Sequence, residues 1–143
     1  MNWDKLKEDH YFKEPVEHIH AVSIFPIKEY ETLYENQNNL NHKAWQEFDE
    51  KYKTGFELKE DITKIDFKKE IIALWFFKER SDNNAQPILN VGGKKIRYYQ
   101  NKFLITPCKD IKIEEQKRKY IRRPVLQLDI SKAKYEQIVG RFK

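Results

Sequence analysis

Seven consecutive apolar residues, IIALWFF at positions 71–77, interrupt a chain in which 36% of the residues are charged. A strand with one face in water alternates apolar and polar side chains, whereas a strand covered on both faces reads as continuous apolar sequence. The run therefore predicts a central strand that is packed on both of its faces.

The size and composition of the chain predict one domain with a hydrophobic core. Its 143 residues suit a single domain, and the 14% of aromatic residues supply buriable area despite a mean hydropathy of -0.90. The lone cysteine, Cys108, excludes an internal disulfide, which suits a reducing compartment. The sequence shows no secretory leader and no apolar run of membrane-spanning length. We therefore expect a cytoplasmic protein without membrane association, although an exported and processed chain would share these features.

Helical periodicity dominates the first part of the chain. A short helix is predicted within residues 3–12, followed by a mostly buried strand over residues 17–27 that closes at Pro26. Two helices are predicted between residues 28 and 53, and Asn41 is the predicted N-cap of the second. The first helix has Ile27, Tyr30, Leu33 and Tyr34 at helical spacing, and the second is expected to bury Leu40, Ala44, Trp45, Phe48 and Tyr52.

Strand patterns dominate the second part. PILNV, KIRYY and FLITPC follow the central strand as short strands, with Gly92 and Gly93 as a tight turn. VLQLDI is a further strand, and Ser131 is the predicted cap of a final helix. Successive strands with no helix between them are typical of an antiparallel meander. We predict a single α+β domain over residues 1–143, in which a mainly antiparallel sheet centred on residues 71–77 packs against these helices.

Charge is distributed unevenly along the chain. Residues 94–143 hold 15 of the 28 Lys and Arg but 5 of the 23 Asp and Glu, which gives +10 there and -5 for residues 1–93. The most basic part, about 109–123, is too charged for a core element and is predicted to be an exposed hairpin arm or a mobile loop. Such an arm suits an acidic protein partner. The residues assigned to that contact are Lys109, Lys112, Lys117, Arg118, Lys119, Tyr120, Arg122 and Arg123.

A second basic and aromatic group precedes the arm and supports an alternative function. Lys and Arg neutralise phosphates while Tyr stacks on bases, so the combination is also typical of nucleic-acid binding. The residues of this group are Lys94, Lys95, Arg97, Tyr98 and Tyr99. The charge split also leaves open a homodimer, in which the arm meets the acidic half of a second copy.

Signals for metal binding and catalysis are weak. His18 and His20 would lie on one face of a strand, as two zinc ligands do, but the sequence spacing does not indicate which residue would be a third ligand. Cys108 has no local histidine partner and is predicted to be a small buried thiol. VGGKK lacks the ending of a phosphate-binding loop, and no other catalytic motif is present. We expect no cofactor and no catalytic residues, and a metal-dependent enzyme built on the two histidines is the least favoured reading.

One stretch of the chain resembles a known family. IKEYETLYENQ followed by KIDFKKEIIALWFF resembles the protease-complex-subunit PrcB-like domains, in which an aromatic- and Leu-bearing helix precedes a VDFSKE-like lead-in to a central apolar strand. The matching positions are Asp66, Phe67, Lys69, Glu70 and the run 71–77, within a likeness over about residues 22–106. The Gly-Gly-Tyr motif expected after that strand is missing. The resemblance implies a small, non-enzymatic, protein-associating domain of sheet and helices.

These features predict a non-catalytic protein-binding module of the inhibitor, immunity or adaptor type. The basic arm would contact an acidic protein partner. Nucleic-acid binding through the same basic residues is the alternative.

Overall fold

The computed structural model describes residues 3–77, 87–114 and 122–143. Those residues form three α-helices and nine strands, together with four single turns of 3-10 helix. The strands are β1 Tyr11–Phe12, β2 His18–Val22, β3 Phe56–Lys59, β4 Ile71–Phe76, β5 Pro87–Val91, β6 Lys94–Arg97, β7 Lys102–Pro107, β8 Ile111–Ile113 and β9 Val125–Leu128. The helices are α1 Ile27–Glu35, α2 Lys43–Tyr52 and α3 Lys132–Gly140, and the 3-10 turns are Trp3–Lys5, Glu8–His10, Ile62–Lys64 and Cys108–Asp110.

The larger sheet has six antiparallel strands in the order β1-β2-β7-β4-β9-β3. β4 lies between β7 and β9, and every residue of the run 71–77 is buried. The odd-numbered side chains of this run join the core beneath the helices, and the even-numbered ones join the core beneath a smaller sheet. The predicted central strand, covered on both faces, is confirmed.

An aromatic cluster fills the space between the larger sheet and the helices. The Trp75 ring stacks on Phe25 with centroids 3.8 Å apart and on Phe48 with centroids 5.7 Å apart. The Trp75 Nε1 donates to the Asn101 Oδ1 at 2.7 Å, and the Asn101 side-chain amide donates to the Phe25 carbonyl oxygen at 3.0 Å. Burial of each large apolar side chain contributes about 1.5–3 kcal/mol. The cluster is therefore a major source of cohesion between the helices and the sheet.

The smaller sheet has three strands in the order β6-β5-β8 and covers the other face of the larger sheet. Its inward side chains, among them Leu89, Val91 and Ile96, share one buried core with the even-numbered residues of β4. The β5-β6 hairpin turns at Gly92 and Gly93, whose φ angles of 58° and 104° are conformations that glycine adopts without strain. The described residues thus form three layers: helices, six-stranded sheet and three-stranded sheet.

The helices packed on the larger sheet lie close to their predicted positions. α1 and α2 fall within residues 27–52, and the Ser131 Oγ caps α3 by accepting from the Lys134 backbone nitrogen at 3.0 Å. Two details of α2 were predicted wrongly. Its N-cap is His42, whose Nδ1 accepts from the Ala44 backbone nitrogen at 3.1 Å. Leu40 is 55% exposed, because it lies in the turn before the helix begins.

The prediction of one helix over residues 3–12 is wrong. The chain makes the separate turns Trp3–Lys5 and Glu8–His10 and then pairs with β2 as β1. A helix of this length is marginal by itself, and the strand pairing satisfies backbone groups that a frayed helix end would leave open.

The predicted meander is also wrong. β4 pairs with β7 and β9 instead of β5, and the β5-β6 hairpin belongs to the smaller sheet. The hairpin packs against the face of the larger sheet instead of joining its edge, because the even-numbered side chains of β4 are large and apolar and their burial is favourable. Among the three described ranges, no helix combines the length and the apolar character that a bilayer crossing requires.

Candidate functional site

A row of polar side chains crosses the outer face of the smaller sheet. The strand register pairs Asn90 of β5 with Lys95 of β6 on one side and with Lys112 of β8 on the other. Directly paired residues project from the same face of a sheet, so these three side chains form one row. Arg97 belongs to the same face, because it follows Lys95 by two positions on β6. We call Lys95, Arg97 and Lys112 the basic face.

The basic face is open to solvent, since all three of its members are exposed. Asn90, in the middle of the row, is half-buried and engaged within the fold. Its amide nitrogen donates to the Glu114 Oε1 at 3.0 Å, and its Oδ1 accepts from the Gly93 backbone nitrogen at 2.7 Å. The face therefore presents three cations around Asn90, together with one anion, the Glu114 carboxylate that the Asn90 side chain binds.

The spacing of the strands sets the spacing of the charges. Neighbouring strands lie about 4.8 Å apart, so the backbones at Lys95 and Lys112 are about 10 Å apart across β5. That distance is close to the Debye length of about 10 Å at 0.1 M salt. The two ammonium groups therefore repel each other weakly, while both add to the positive potential over the sheet.

The predicted arm at 109–123 begins inside the fold. Lys109 is exposed in the turn Cys108–Asp110, but Ile111 is buried and its strand, β8, belongs to the smaller sheet. The first part of the segment is thus an ordered edge strand. The predicted contacts Lys117, Arg118, Lys119 and Tyr120 lie outside the described residues.

The two arginines at the end of the predicted arm have different surroundings. Arg122 is exposed, and its Nε donates to the Glu60 carbonyl oxygen at 3.1 Å. Arg123 is only 7% exposed, and its backbone nitrogen donates to the Asp61 Oδ1 at 2.7 Å. Asp61 also accepts from the Thr63 backbone nitrogen at 3.1 Å, as the N-cap of the turn Ile62–Lys64. Arg123 therefore belongs to the packing of this loop and does not present a charge to a partner.

The alternative nucleic-acid group is divided by the fold. Lys95 and Arg97 lie on the basic face, and Tyr99 is 45% exposed. Tyr98 is 4% exposed, and its hydroxyl donates to the Pro124 carbonyl oxygen at 2.6 Å. Burial strongly raises the pKa of the Tyr98 hydroxyl. A ring held in this way cannot stack on a base.

Lys94 points to the inner side of the smaller sheet and lies near His18 and His20, the two predicted metal ligands. Its Nζ lies 3.1 Å from the His18 Nε2 and 3.7 Å from the centroid of the Phe12 ring. His18 is fully buried, and its Nδ1 lies 2.7 Å from the Val16 carbonyl oxygen. Because a carbonyl oxygen can only accept, Nδ1 carries the proton and Nε2 accepts from Lys94. His18 is therefore neutral.

His20 lies on the same side of β2 as His18, as predicted. Its Nε2 is buried and has no hydrogen-bond partner among the residues that the structure describes. Burial, followed by the charges of Lys102 and Lys94 and by His18, lowers the pKa of His20 to about 3. Burial also lowers the pKa of His18. Within the described ranges, no group of three His, Cys, Asp or Glu side chains is placed to hold a metal ion.

Comparison with known proteins adds no relative. The chain matches no protein-family model, and searches of curated proteins and of solved structures likewise give no match. The resemblance to PrcB-like domains therefore stays a prediction.

Lys95 and Lys112 belong to two separate groups in the sequence-based prediction, which did not include Asn90, the residue between them. One signal was present in the sequence. Asn90 is the single polar residue of PILNV, and a lone polar position in an otherwise apolar strand indicates the face that meets water. The identity of its neighbours was not accessible, because β5, β6 and β8 come together only through tertiary pairing.

Proposed function

We propose that the protein is a non-catalytic binding module of the inhibitor, immunity or adaptor type, and that the basic face contacts an acidic protein partner. The observation that carries the proposal is the row Lys95, Asn90 and Lys112 on the uncovered side of the smaller sheet. Strands hold the backbones of these residues in a fixed register, so the points from which the side chains extend have a defined spacing.

Charge complementarity supports an acidic partner. A protein surface with carboxylates about 10 Å apart could pair with Lys95 and Lys112 together, since that is the separation of two inter-strand spacings. Arg97 adds a further exposed positive charge on the same face. Exposed charges of this kind mainly increase the association rate and the specificity of a complex. The predicted contacts from Lys117 to Tyr120 would extend the same surface.

Two features favour a protein over a nucleic acid. Tyr98, one of the two rings expected to stack on bases, is buried. Asn90, which could read a base edge, uses its side chain for hydrogen bonds to Glu114 and Gly93. Among the described residues of the two predicted groups, what is left is a set of cations beside one exposed ring, Tyr99, and such a set recognises negative charge without reading a sequence.

The test is retention of partners from native lysate, with and without nuclease, by the purified protein and two double variants. Lys95→Glu/Lys112→Glu reverses the row. Lys28→Glu/Lys43→Glu makes the same change in charge at exposed positions on the helices, on the opposite side of the larger sheet. We expect a stoichiometric acidic protein to be retained by the wild type and by the control. Reversal of the row should weaken its binding by roughly tenfold or more.

The outcomes separate the readings. If the two double variants bind the partner equally well, the basic face is not the surface that contacts it. Retained material that disappears with nuclease, and whose affinity falls steeply as salt increases, would instead establish the nucleic-acid alternative.

A further inference from the structure

A groove of about 740 Å³ opens between one end of the larger sheet and α3. One wall comes from the start of β4 and the end of β7, and the other comes from α3, Glu17 and Lys143. This volume lies in the range of about 300–1,000 Å³ that is usual for ligand sites.

Several polar groups of the groove are satisfied within the fold. The Glu17 Oε2 accepts from the Tyr11 hydroxyl at 2.8 Å and lies 3.1 Å from the Lys143 Nζ. The Tyr135 hydroxyl donates to the Glu17 carbonyl oxygen at 3.3 Å. Cys108, predicted to be buried, is half-buried at the groove, and its Sγ donates to the Phe67 carbonyl oxygen at 3.0 Å. These groups shape the groove, but they are not free to bind a charged ligand strongly.

Four charged side chains remain available. Glu70 and Lys109 belong to the sheet wall, and Lys132 and Glu136 are one helical turn apart on α3. All four are exposed, and within residues 3–77, 87–114 and 122–143 none of their side chains makes a hydrogen bond or an ion pair. Each wall therefore offers one cation and one anion, and the four charges sum to zero.

The surface between these charges is largely apolar. Ile71 and Tyr135 are buried side chains of the lining, and Pro107 is half-buried. Burial raises the pKa of the Tyr135 hydroxyl, so this ring stays neutral at physiological pH. The groove thus combines an apolar base with charges of both signs at its rim.

We infer that this groove binds a short zwitterionic peptide with an apolar side chain. Its ammonium group would pair with Glu70 or Glu136, and its carboxylate with Lys109 or Lys132. The apolar side chain would lie on Pro107 and on the small exposed edges of Ile71 and Tyr135. A ligand with one sign of charge would leave two like charges of the rim facing it, which is unfavourable. The inference is independent of the basic face, because the groove and that face share no residue.

Calorimetric titration with the tripeptide Ala-Leu-Ala tests the charge requirement. The matched ligand is the same tripeptide with an acetylated amino end and an amidated carboxyl end, which keeps its shape and removes both charges. We expect saturable one-to-one binding of the free peptide. The doubly blocked peptide should bind about fivefold more weakly or worse, because each exposed ion pair contributes up to about 1 kcal/mol.

The alkylation rate of the single cysteine shows where the peptide binds. Cys108 lines the groove, so bound peptide should slow its alkylation by iodoacetamide in the otherwise unmodified protein. Lys132→Ala/Glu136→Ala should weaken peptide binding by roughly fivefold. Ala133→Glu, at an exposed position of the same helix outside the groove, should leave it unchanged. All of these variants change exposed side chains, so the fold is expected to persist.

Three results would overturn the inference. The first is an absence of heat and of Cys108 protection with the free peptide. The second is equal affinity for the free and the doubly blocked peptide, which would show that the rim charges are not recognised. The third is equal binding by Lys132→Ala/Glu136→Ala and by Ala133→Glu, which would place the peptide elsewhere.

Discussion

The fold holds His20 in its neutral form, and this predicts a loss of stability in weak acid. The free histidine side chain has a pKa of 6.5, whereas burial and the nearby Lys102 and Lys94 lower the pKa of His20 to about 3 in the folded protein. Between these two values the unfolded chain binds a proton at His20 that the folded chain does not bind. The contribution of His20 is therefore fully present above pH 6.5 and is lost as the pH falls towards the folded-state pKa.

The size of the effect follows from the same two pKa values. Between about pH 7 and about pH 5, protonation of His20 in the unfolded chain but not in the folded chain corresponds to a loss of about 2 kcal/mol in the free energy of unfolding. His18, whose pKa is also lowered by burial, changes the stability in the same direction. A small domain has a total stability of about 5–15 kcal/mol, so the loss should be easy to measure.

The assay is urea unfolding at about pH 7 and about pH 5, a window that ends above the ordinary carboxyl pKa of about 4. The wild type should lose about 2 kcal/mol or more between these conditions, and His20→Phe should lose about 2 kcal/mol less than the wild type. Phe keeps an aromatic ring beside Phe12, whose centroid lies 6.3 Å from that of His20. The comparison variant is His42→Asn, which removes a histidine outside this cluster and keeps a favourable N-cap residue.

An equal loss in the wild type and in His20→Phe would refute the reasoning, because it would mean that His20 is not held neutral by the fold. If His42→Asn reduced the loss as much as His20→Phe, the acid sensitivity would not originate in the cluster around Lys94.

Two further predictions concern buried polar side chains and can be checked by the same urea unfolding at neutral pH. Gln127 is 4% exposed and bonds both backbone groups of Asp66, its Oε1 accepting from the nitrogen at 2.8 Å and its Nε2 donating to the oxygen at 3.0 Å. Gln127→Met should therefore cost about 1–3 kcal/mol, whereas Gln137→Met on the exposed side of α3 should cost less than about 0.5 kcal/mol. Asn101 has a φ of 54° and holds Trp75 and Phe25, so Asn101→Gly should cost about 1–3 kcal/mol through lost hydrogen bonds. Asn101→Ala should cost about 1–2 kcal/mol more, since alanine is strained at this φ; equal stability of the two variants would contradict the backbone part of this account.

The sequence predicted features that depend on short-range patterns. The run 71–77 had to be covered on both faces, because an exposed face would have required polar residues at alternate positions. The spacing of Tyr30 and Leu33, and the position of Ser131, indicated helices whose apolar stripe or cap is encoded within one or two turns. These elements lie where they were predicted, because each follows from residues that are close together in the chain.

The candidate surfaces were only partly accessible from the sequence. Lys112 was predicted to contact an acidic protein and Lys95 to contact nucleic acid in the alternative reading. Their position on either side of Asn90 depends on β8 pairing with the opposite edge of β5 from β6. Arg123 and Tyr98 resembled surface residues by type, yet the fold buries both of them. The groove beside α3 could not be predicted, since Glu17, Glu70, Lys109 and Lys132 are far apart in sequence.

By itself, the sequence determined the α+β class of this protein, its central strand and the main helices on the larger sheet, because periodicity and capping act between near neighbours. Only the tertiary structure decided which strands are adjacent and which polar groups meet. The hairpin of β5 and β6 lies over the even-numbered side chains of β4 and outside the larger sheet. This position creates the basic face and places Lys94 beside His18. The physical reason is that burial of apolar area is not directional. Which element covers a given apolar face therefore depends on the whole chain and cannot be inferred from any one segment.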